Sequence, residues 1–216
     1  MTERLFTADY AEHVTLRDGT VVRLRLVTVA DKDSLRRGFD RWSQASRYAR
    51  FFSAKSRLTD DELDYLCDVD QENHFALGAA REDDPSVGVG IARFIRLPEE
   101  GIAEPVTAEA AIAVADDVHG QGLGRILFEH LVAAAAERGI ERFRCEVLGT
   151  NESMKTLIEK IAPLRSVEVS SGVMSIDFDL PHPVTDPDTG QSALYRFFRG
   201  VAKMGPWGLV ASRWSQ

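Results

Sequence analysis

The sequence predicts an α/β (α+β) fold in which strands and helices share one domain. Short runs rich in Val, Ile and Phe recur along the chain and are typical of strands. Amphipathic helical patterns lie between those runs, which argues against an all-helical or an all-strand class. The chain has 216 residues, 44% of them apolar, and this is enough to bury a substantial core.

The first predicted elements are a β-hairpin and a helix. Two runs rich in Val and Leu flank the turn signal Asp18-Gly19 within residues 13–27. Thr28 is a candidate N-cap for the helix that follows, with Asp31 in its first turn. The apolar residues of this helix recur at helical spacing. They are Leu35, Phe39 and Trp42.

Two further helices and three strands are predicted next. Residues 46–52 form a short helical stretch, and Thr59 and Glu62 have the capping-box spacing for a helix over residues 60–68. Strands are predicted at 74–81 and 87–96. A third strand is predicted at 108–115, where the alanines could equally be helical but the apolar pattern suits a central strand.

The second half of the chain continues this alternation. A helix begins near Leu123 and stops at Gly139, which is a good C-terminal cap. A half-buried strand at 142–147 is followed by a short helix after Asn151. A closing hairpin is predicted within residues 167–180, and its turn is at residues 171–172.

Composition excludes several function classes. The net charge of −8 and the pI near 5.2 argue against nucleic acid as a partner and favour cationic partners such as amines. Two cysteines are too few for a disulfide scaffold, and the histidines show no ligand spacing, so we expect no metal. No signal peptide and no membrane span are predicted, and we therefore expect a cytoplasmic protein.

We predict a boundary near residue 180. Residues 181–216 begin with a proline-containing linker and continue as a basic, aromatic helical tail. One face of that helix would carry Leu194, Phe197, Phe198 and Val201. Packing against residues 1–180 or against a second subunit, as a homodimer, is the expectation, and weak membrane-surface binding is the alternative.

Three glycines at alternate positions follow the predicted central strand and open a helix. Gly120, Gly122 and Gly124 would let the backbone approach an anion that faces the first N–H groups of the helix. The glycine spacing alone fits a purely structural tight turn before a helix equally well. The lysine of a nucleotide P-loop is missing, and the glycine spacing does not fit the dinucleotide fingerprint.

Residues 114–125, Val-Ala-Asp-Asp-Val-His-Gly-Gln-Gly-Leu-Gly-Arg, resemble the acyl-CoA pyrophosphate loop of the GNAT N-acetyltransferases. His119 stands at the position where that family has Gln or Arg. The order of predicted elements agrees with the family over roughly residues 20–180. The resemblance implies a central mixed, mostly antiparallel sheet flanked by helices, with a C-terminal helical extension here, and acetyl-CoA as co-substrate.

The resemblance also implies roles for individual residues. The main chain of Ile112, Ala113 and Val114 would pair with the pantetheine arm of the cofactor. Asn151 would lie near the thiol end, and it is equally a candidate N-cap for the next helix. The pyrophosphate loop comprises His119, Gly120, Gln121, Gly122, Leu123, Gly124 and Arg125.

Acetyl transfer to an amine requires that the ammonium lose a proton. Glu109, on the predicted central strand, is the candidate general base, because carboxylates of this strand serve as base in many relatives. The alternative is a solvated strand-end glutamate. Many relatives have a tyrosine as general acid at the position of Ile158, so that role is left unassigned.

The acceptor is suggested by residues 43–52, Ser-Gln-Ala-Ser-Arg-Tyr-Ala-Arg-Phe-Phe. They resemble the Ser-x-x-Ser-Arg-Tyr-x-Arg-Phe-Phe stretch of bacterial protein lysine acetyltransferases. Core packing of Tyr48, Phe51 and Phe52 is the purely structural interpretation. We therefore predict an enzyme that acetylates a protein lysine; the alternatives are a small-amine acetyltransferase and a catalytically weak acyl-CoA-binding sensor or interaction module.

Overall fold

The computed structural model describes residues 4–181. It contains eight strands, numbered in chain order: β1 Ala11–Thr15, β2 Val21–Leu26, β3 His74–Arg81, β4 Gly88–Arg96, β5 Thr107–Val114, β6 Arg142–Leu148, β7 Leu164–Ser170 and β8 Val173–Asp179. Its five α-helices are α1 Lys32–Asp40, α2 Gln44–Phe51, α3 Asp60–Cys67, α4 Leu123–Ala136 and α5 Glu152–Glu159. The predicted linker and tail, and the dimer contact assigned to them, lie outside the described residues.

The predicted order of elements is confirmed, and local chemistry explains most of the boundaries. The alanine-rich run at 107–114 is a strand. Thr59 and Glu62 make the reciprocal capping box at the start of α3. Helix α2 begins two residues earlier than predicted, because the Ser43 hydroxyl caps it by accepting a hydrogen bond from the Ser46 N–H.

All eight strands form one sheet in the order β1-β2-β3-β4-β5-β6-β8-β7. Every neighbouring pair is antiparallel except β5 and β6, which are parallel and joined through α4. The fold class is therefore the mixed, mostly antiparallel sheet that the resemblance implied. The strands β5 and β6 pair only from Thr107 to Glu109 and from Arg142 to Arg144, and they separate beyond those residues.

Close helix contacts cover both faces of the sheet at β4. A Cβ added to Gly90 would lie 2.8 Å from Leu127 Cδ1, so α4 packs directly on the strand at that point. On the other face, a Cβ at Gly38 of α1 would lie 2.6 Å from the Gly88 carbonyl oxygen. Both helices therefore depend on a residue without a side chain for their approach to the sheet.

The main core lies between α4 and the sheet. Helix α4 buries ten of its fourteen residues, and the predicted stripe of Leu127, Leu131 and Ala135 is buried. Phenylalanine rings from the sheet and from α4 contact one another beneath it. These are Phe75, Phe94, Phe128, Phe143 and Phe178. This apolar layer holds α4 over β4 and β5 and so fixes where the helix begins.

Candidate active site

A groove of about 490 Å³ opens where β5 and β6 separate. The start of α4 lies at one end of it, and α2 and α5 contribute further walls. Its lining comprises Trp42, Ser46, Ala49, Arg50, Ala110–Val114, Val118, His119, Gly120, Gly122–Arg125, Glu146, Val147, Asn151, Ser153, Met154 and Leu157. Most residues predicted from the sequence therefore meet in one cavity.

The free edge of β5 presents main-chain groups to this groove. The Ala115 N–H donates to the Val89 carbonyl of β4 at 2.8 Å. Since peptide groups alternate between the two edges of a strand, Ala113 also points to β4. The N–H and C=O groups of Ile112 and Val114 point the other way, into the gap left by β6. Two of the three residues predicted to pair with an extended ligand thus have their polar groups available.

The glycine turn is open and has the geometry of an anion site. Gly120 has φ +74° and Gly122 has φ +95°, a region that favours glycine. A Cβ at Gly120 would meet no atom within 4 Å. Gly122 is the N-cap of α4, so no side chain caps the first N–H groups of the helix. These groups, together with the helix dipole, suit a pyrophosphate, and the turn lies beside the free edge of β5.

The side chains of the glycine turn differ in their hydrogen-bond partners and in their burial. The His119 Nε2–H donates to the Val114 carbonyl at 2.9 Å, since a carbonyl can only accept. Arg125 donates to Glu129 at 2.6 Å, and this carboxylate is 4% exposed. Burial raises the pKa of Glu129, while Arg125 opposes that rise. Leu123 is fully buried, so only its main chain can face a ligand.

Residues around α5 form the far wall. The Asn151 side chain accepts a hydrogen bond from the Met154 N–H at 3.1 Å and also lines the groove. The N-cap role is therefore present, and the residue remains accessible to a ligand. Ile158, at the position where many relatives have a tyrosine, is fully buried in the core. Leu157 is the neighbouring residue of α5 that faces the groove.

Two glutamates lie on the strands that flank the gap. Glu109 is the last residue of β5 that pairs with β6, and it is exposed immediately before the groove-lining Ala110. Glu146 of β6 is also exposed and lines the groove. Glu146 was missed in the sequence because β6 looks like an ordinary half-buried strand. Its charged face could be assigned to a site only once the separation of the strands was known.

Arg50 of α2 is a second groove residue that the sequence left unassigned. It is half-buried and its guanidinium lies 5.3 Å from the centre of the Phe51 ring. Burial lowers the pKa of Arg50, and the negative charge of Glu109 acts against this effect. Arg50 and Glu109 therefore lie within electrostatic reach of each other.

The rest of the Ser-x-x-Ser-Arg-Tyr segment fastens α2 beside β5. The hydroxyls of Ser43 and Ser46 donate to Asp116 Oδ1 at 2.9 and 2.6 Å. The Arg47 guanidinium donates to three backbone carbonyls, those of Asp40 at the end of α1 and of Trp42 and Ser56 in loops. The expectation that Tyr48 packs in the core is wrong, because it lies on the outer face of α2 and is 48% exposed.

Two classes of site have no support within residues 4–181. No group of three or more His, Cys, Asp or Glu side chains in this part of the chain is placed to hold a metal ion. In the same range, none of the helices combines the length and the apolar character needed to cross a membrane.

A known family and several known proteins are similar to this chain. Residues 38–162 match the acetyltransferase (GNAT) family. An acetyltransferase of Pseudomonas aeruginosa is 31% identical over 144 residues, which are 66% of this chain and 75% of that protein. Acetyltransferase Pat of Mycolicibacterium smegmatis is 32% identical over 181 residues, which are 81% of this chain and 50% of that protein. This chain thus spans about half the length of Pat.

A solved structure is similar over most of the chain. The crystal structure of the GNAT domain of S. lividans PAT has a TM-score of 0.72 and 31% sequence identity. The match covers 81% of this chain and 99% of that domain.

Proposed function

The chain belongs to the acetyltransferase (GNAT) family, and on this basis we propose that it acetylates a primary amine, in particular a lysine side chain of a protein. Its acyl donor is acetyl-CoA, the cofactor of GNAT-fold acetyltransferases. The observation that carries the proposal is the gap between β5 and β6, which opens beside the glycine turn and directly after the exposed Glu109.

Main-chain groups would hold the donor. The N–H groups of residues 120–125 would grip its pyrophosphate, because they lie where α4 begins and no side chain caps them. The peptide groups of Ile112 and Val114 would pair with the amides of its pantetheine arm, as a neighbouring strand does. The Val114 carbonyl already accepts from His119 and keeps a second lone pair for a ligand. Asn151 would adjoin the thiol end of the donor.

The bound donor supplies an acetyl thioester, and Glu109 prepares the amine that attacks it. A lysine ammonium has a reference pKa of about 10.4, so at neutral pH it needs a base. Glu109 is exposed, one residue before the groove-lining Ala110, and would accept that proton directly or through one water. Glu109 and Glu146 together would attract the cationic acceptor, in keeping with a net charge of −8.

A protein lysine is favoured over a small amine by two features. Residues 43–52 have the Ser-x-x-Ser-Arg-Tyr-x-Arg-Phe-Phe pattern of bacterial protein lysine acetyltransferases, and this segment borders the groove through Ser46 and Arg50. The two glutamates are exposed, so a side chain on the surface of another protein could reach them. A small-amine acceptor remains the alternative for the same chemistry.

The test compares Glu109→Gln with Glu146→Gln, a matched change on the opposite strand. Thiol release from acetyl-CoA is measured with lysine peptides and with small amines, and CoA binding is measured by calorimetry. We expect Glu109→Gln to keep its CoA affinity and to lose about 10²- to 10⁴-fold in turnover, the usual contribution of a general base. Glu146→Gln should stay within a few-fold of wild type.

Other outcomes would lead to other conclusions. Loss of turnover in Glu146→Gln alone would move the role of base to β6. Faster release with small amines than with any lysine peptide would favour the small-amine alternative. CoA binding without turnover on any amine would favour an acyl-CoA-binding sensor. Absence of CoA binding in wild type would contradict the proposal altogether.

A further inference from the structure

We propose that Arg17, in the turn between β1 and β2, is a phosphate ligand for the acyl donor. This inference rests on the proposed function, since it adds a cationic side chain to the glycine turn. The residue lies near the start of the sequence, 103 positions before Gly120. Nothing in the pattern of residues 114–125 indicates it.

The contacts place Arg17 directly on the glycine turn. Its Nη1 donates to the Gly120 carbonyl at 3.2 Å, and its backbone N–H donates to the Gln121 carbonyl at 3.2 Å. A Cβ added to Gly122 would lie 3.7 Å from Arg17 Nε. The guanidinium is thus next to the two glycines of this turn that adopt positive φ, Gly120 and Gly122.

The hairpin holds this position firmly. Leu16, the preceding residue, is 4% exposed and belongs to the main core. The Gly19 N–H donates to the Leu16 carbonyl at 3.0 Å, and Asp18 accepts from the Thr20 N–H at 2.9 Å. Because the turn is tied on both sides, Arg17 is presented to α4 without a large loss of backbone entropy on binding.

Its free charge distinguishes Arg17 from the two basic side chains of the glycine turn itself. Arg125 is paired with Glu129, and the His119 ring is bonded to a backbone carbonyl. Arg17 is exposed, and within residues 4–181 it forms no ion pair with a carboxylate. Its side chain makes one hydrogen bond there, to Gly120, and a guanidinium has five N–H donors. Arg17 therefore has unused N–H donors and a positive charge that no carboxylate of residues 4–181 neutralises, and both can act on a ligand.

An arginine fork matches the oxygens of a phosphate group. CoA has two such groups, the pyrophosphate and the separate 3′-phosphate of its ribose. Both carry the chemistry that Arg17 would recognise. Dephospho-CoA, which lacks only the 3′-phosphate, distinguishes them.

The experiment measures the Kd of CoA and of dephospho-CoA for wild type, Arg17→Gln and Arg17→Lys at several salt concentrations. Arg23→Gln is the matched control, since Arg23 is exposed on β2 of the same hairpin. We expect Arg17→Gln to raise the Kd of CoA about tenfold, the typical effect of one charge-assisted hydrogen bond at an exposed site. The effect should shrink at high salt. Arg17→Lys should recover part of the affinity, and Arg23→Gln should stay within about twofold of wild type.

The two ligands then locate the contact. A penalty on CoA but not on dephospho-CoA places Arg17 on the 3′-phosphate, and an equal penalty places it on the pyrophosphate. Either result supports the inference. A Kd for Arg17→Gln equal to wild type would overturn it. So would a raised Kd whose salt dependence is unchanged, because that result means Arg17 only fastens the turn. Failure of wild type to bind CoA would instead refute the proposed function.

Discussion

At the scale of single residues, His74 of β3 shows how an arginine can fix a protonation state. The Arg93 guanidinium approaches His74 Nε2 at 2.9 Å. Arginine has no acceptor, so Nε2 must accept and the proton of the neutral ring lies on Nδ1. Burial lowers the pKa of His74, and the charge of Arg93 lowers it further, to about 4. Protonation would place two donors against each other, so the fold requires the neutral ring.

This arrangement predicts a pH dependence of stability. The folded-state pKa of His74 is below its unfolded value of about 6.5, so the unfolded state binds more protons between those values. Stability from this group is complete above pH 6.5 and is lost as the pH falls towards 4. Wild type should lose about 1 kcal/mol more than His74→Gln between pH 7 and pH 5, after allowance for partial exposure. Urea unfolding at both pH values measures this, and parallel losses would contradict it.

At the scale of elements, helix α4 has a positive-φ glycine at each end. Gly122, with φ +95°, begins the helix, and Gly139, with φ +72°, lies just past its end. Nothing lies within 4 Å of a Cβ at Gly139, and only Arg17 approaches one at Gly122. An alanine at either position is therefore strained mainly through its backbone.

Gly122→Ala and Gly139→Ala make a matched pair for the anion site. Each should lower the free energy of unfolding by about 1–2 kcal/mol, the usual penalty for a side chain at positive φ. Only Gly122→Ala should weaken CoA binding as well, because it displaces the N–H groups proposed to hold the pyrophosphate. Thermal unfolding and calorimetry measure the two effects. Equal loss of CoA affinity in both variants would show that general destabilisation is the cause.

The strand β5 shows how an element acquires its role from its neighbours. Its amide groups alternate between β4 and the opposite edge, and that edge is bonded to β6 only as far as Glu109. The alternation follows from the backbone alone. Beyond Glu109 that edge is unpaired, while β6 continues to pair with β8 along its full length.

At the scale of the whole molecule, the packing leaves both cysteines inaccessible. Cys67 of α3 and Cys145 of β6 are each 1% exposed, and burial raises the pKa of both thiols. They are the only cysteines among the 216 residues. A thiol buried in apolar surroundings is unreactive, since the thiolate is the nucleophile.

Ellman's reagent should therefore detect almost no protein thiol in the native state and two after unfolding in urea. The same property would give the thiol-release assay a low background, so that released CoA is the main signal. The control is the double variant Cys67→Ala/Cys145→Ala, which should give no signal in urea. Rapid labelling of native wild type would show that the packing around α3 or β6 opens easily.

Local patterns in the sequence determined most of the helices, strands and turns of this protein. The alternation of apolar residues, the capping box at Thr59 and Glu62, and the turn at Asp18-Gly19 depend on neighbours in the chain, and the elements they predict are present. The glycine turn and the start of α4 are equally local. The resemblance to the GNAT family also rests on local motifs, and the comparisons confirm it.

The tertiary structure decided which side chains face the site. Glu146 and Arg50 line the groove from β6 and α2, and no local pattern marks Glu146 as a site residue. Packing between elements likewise leaves Tyr48 exposed and Ile158 buried. Whether a residue lines the groove depends on where β5 and β6 separate, and this is set by packing between elements far apart in sequence. Periodicity reports only which face of its own element a residue occupies.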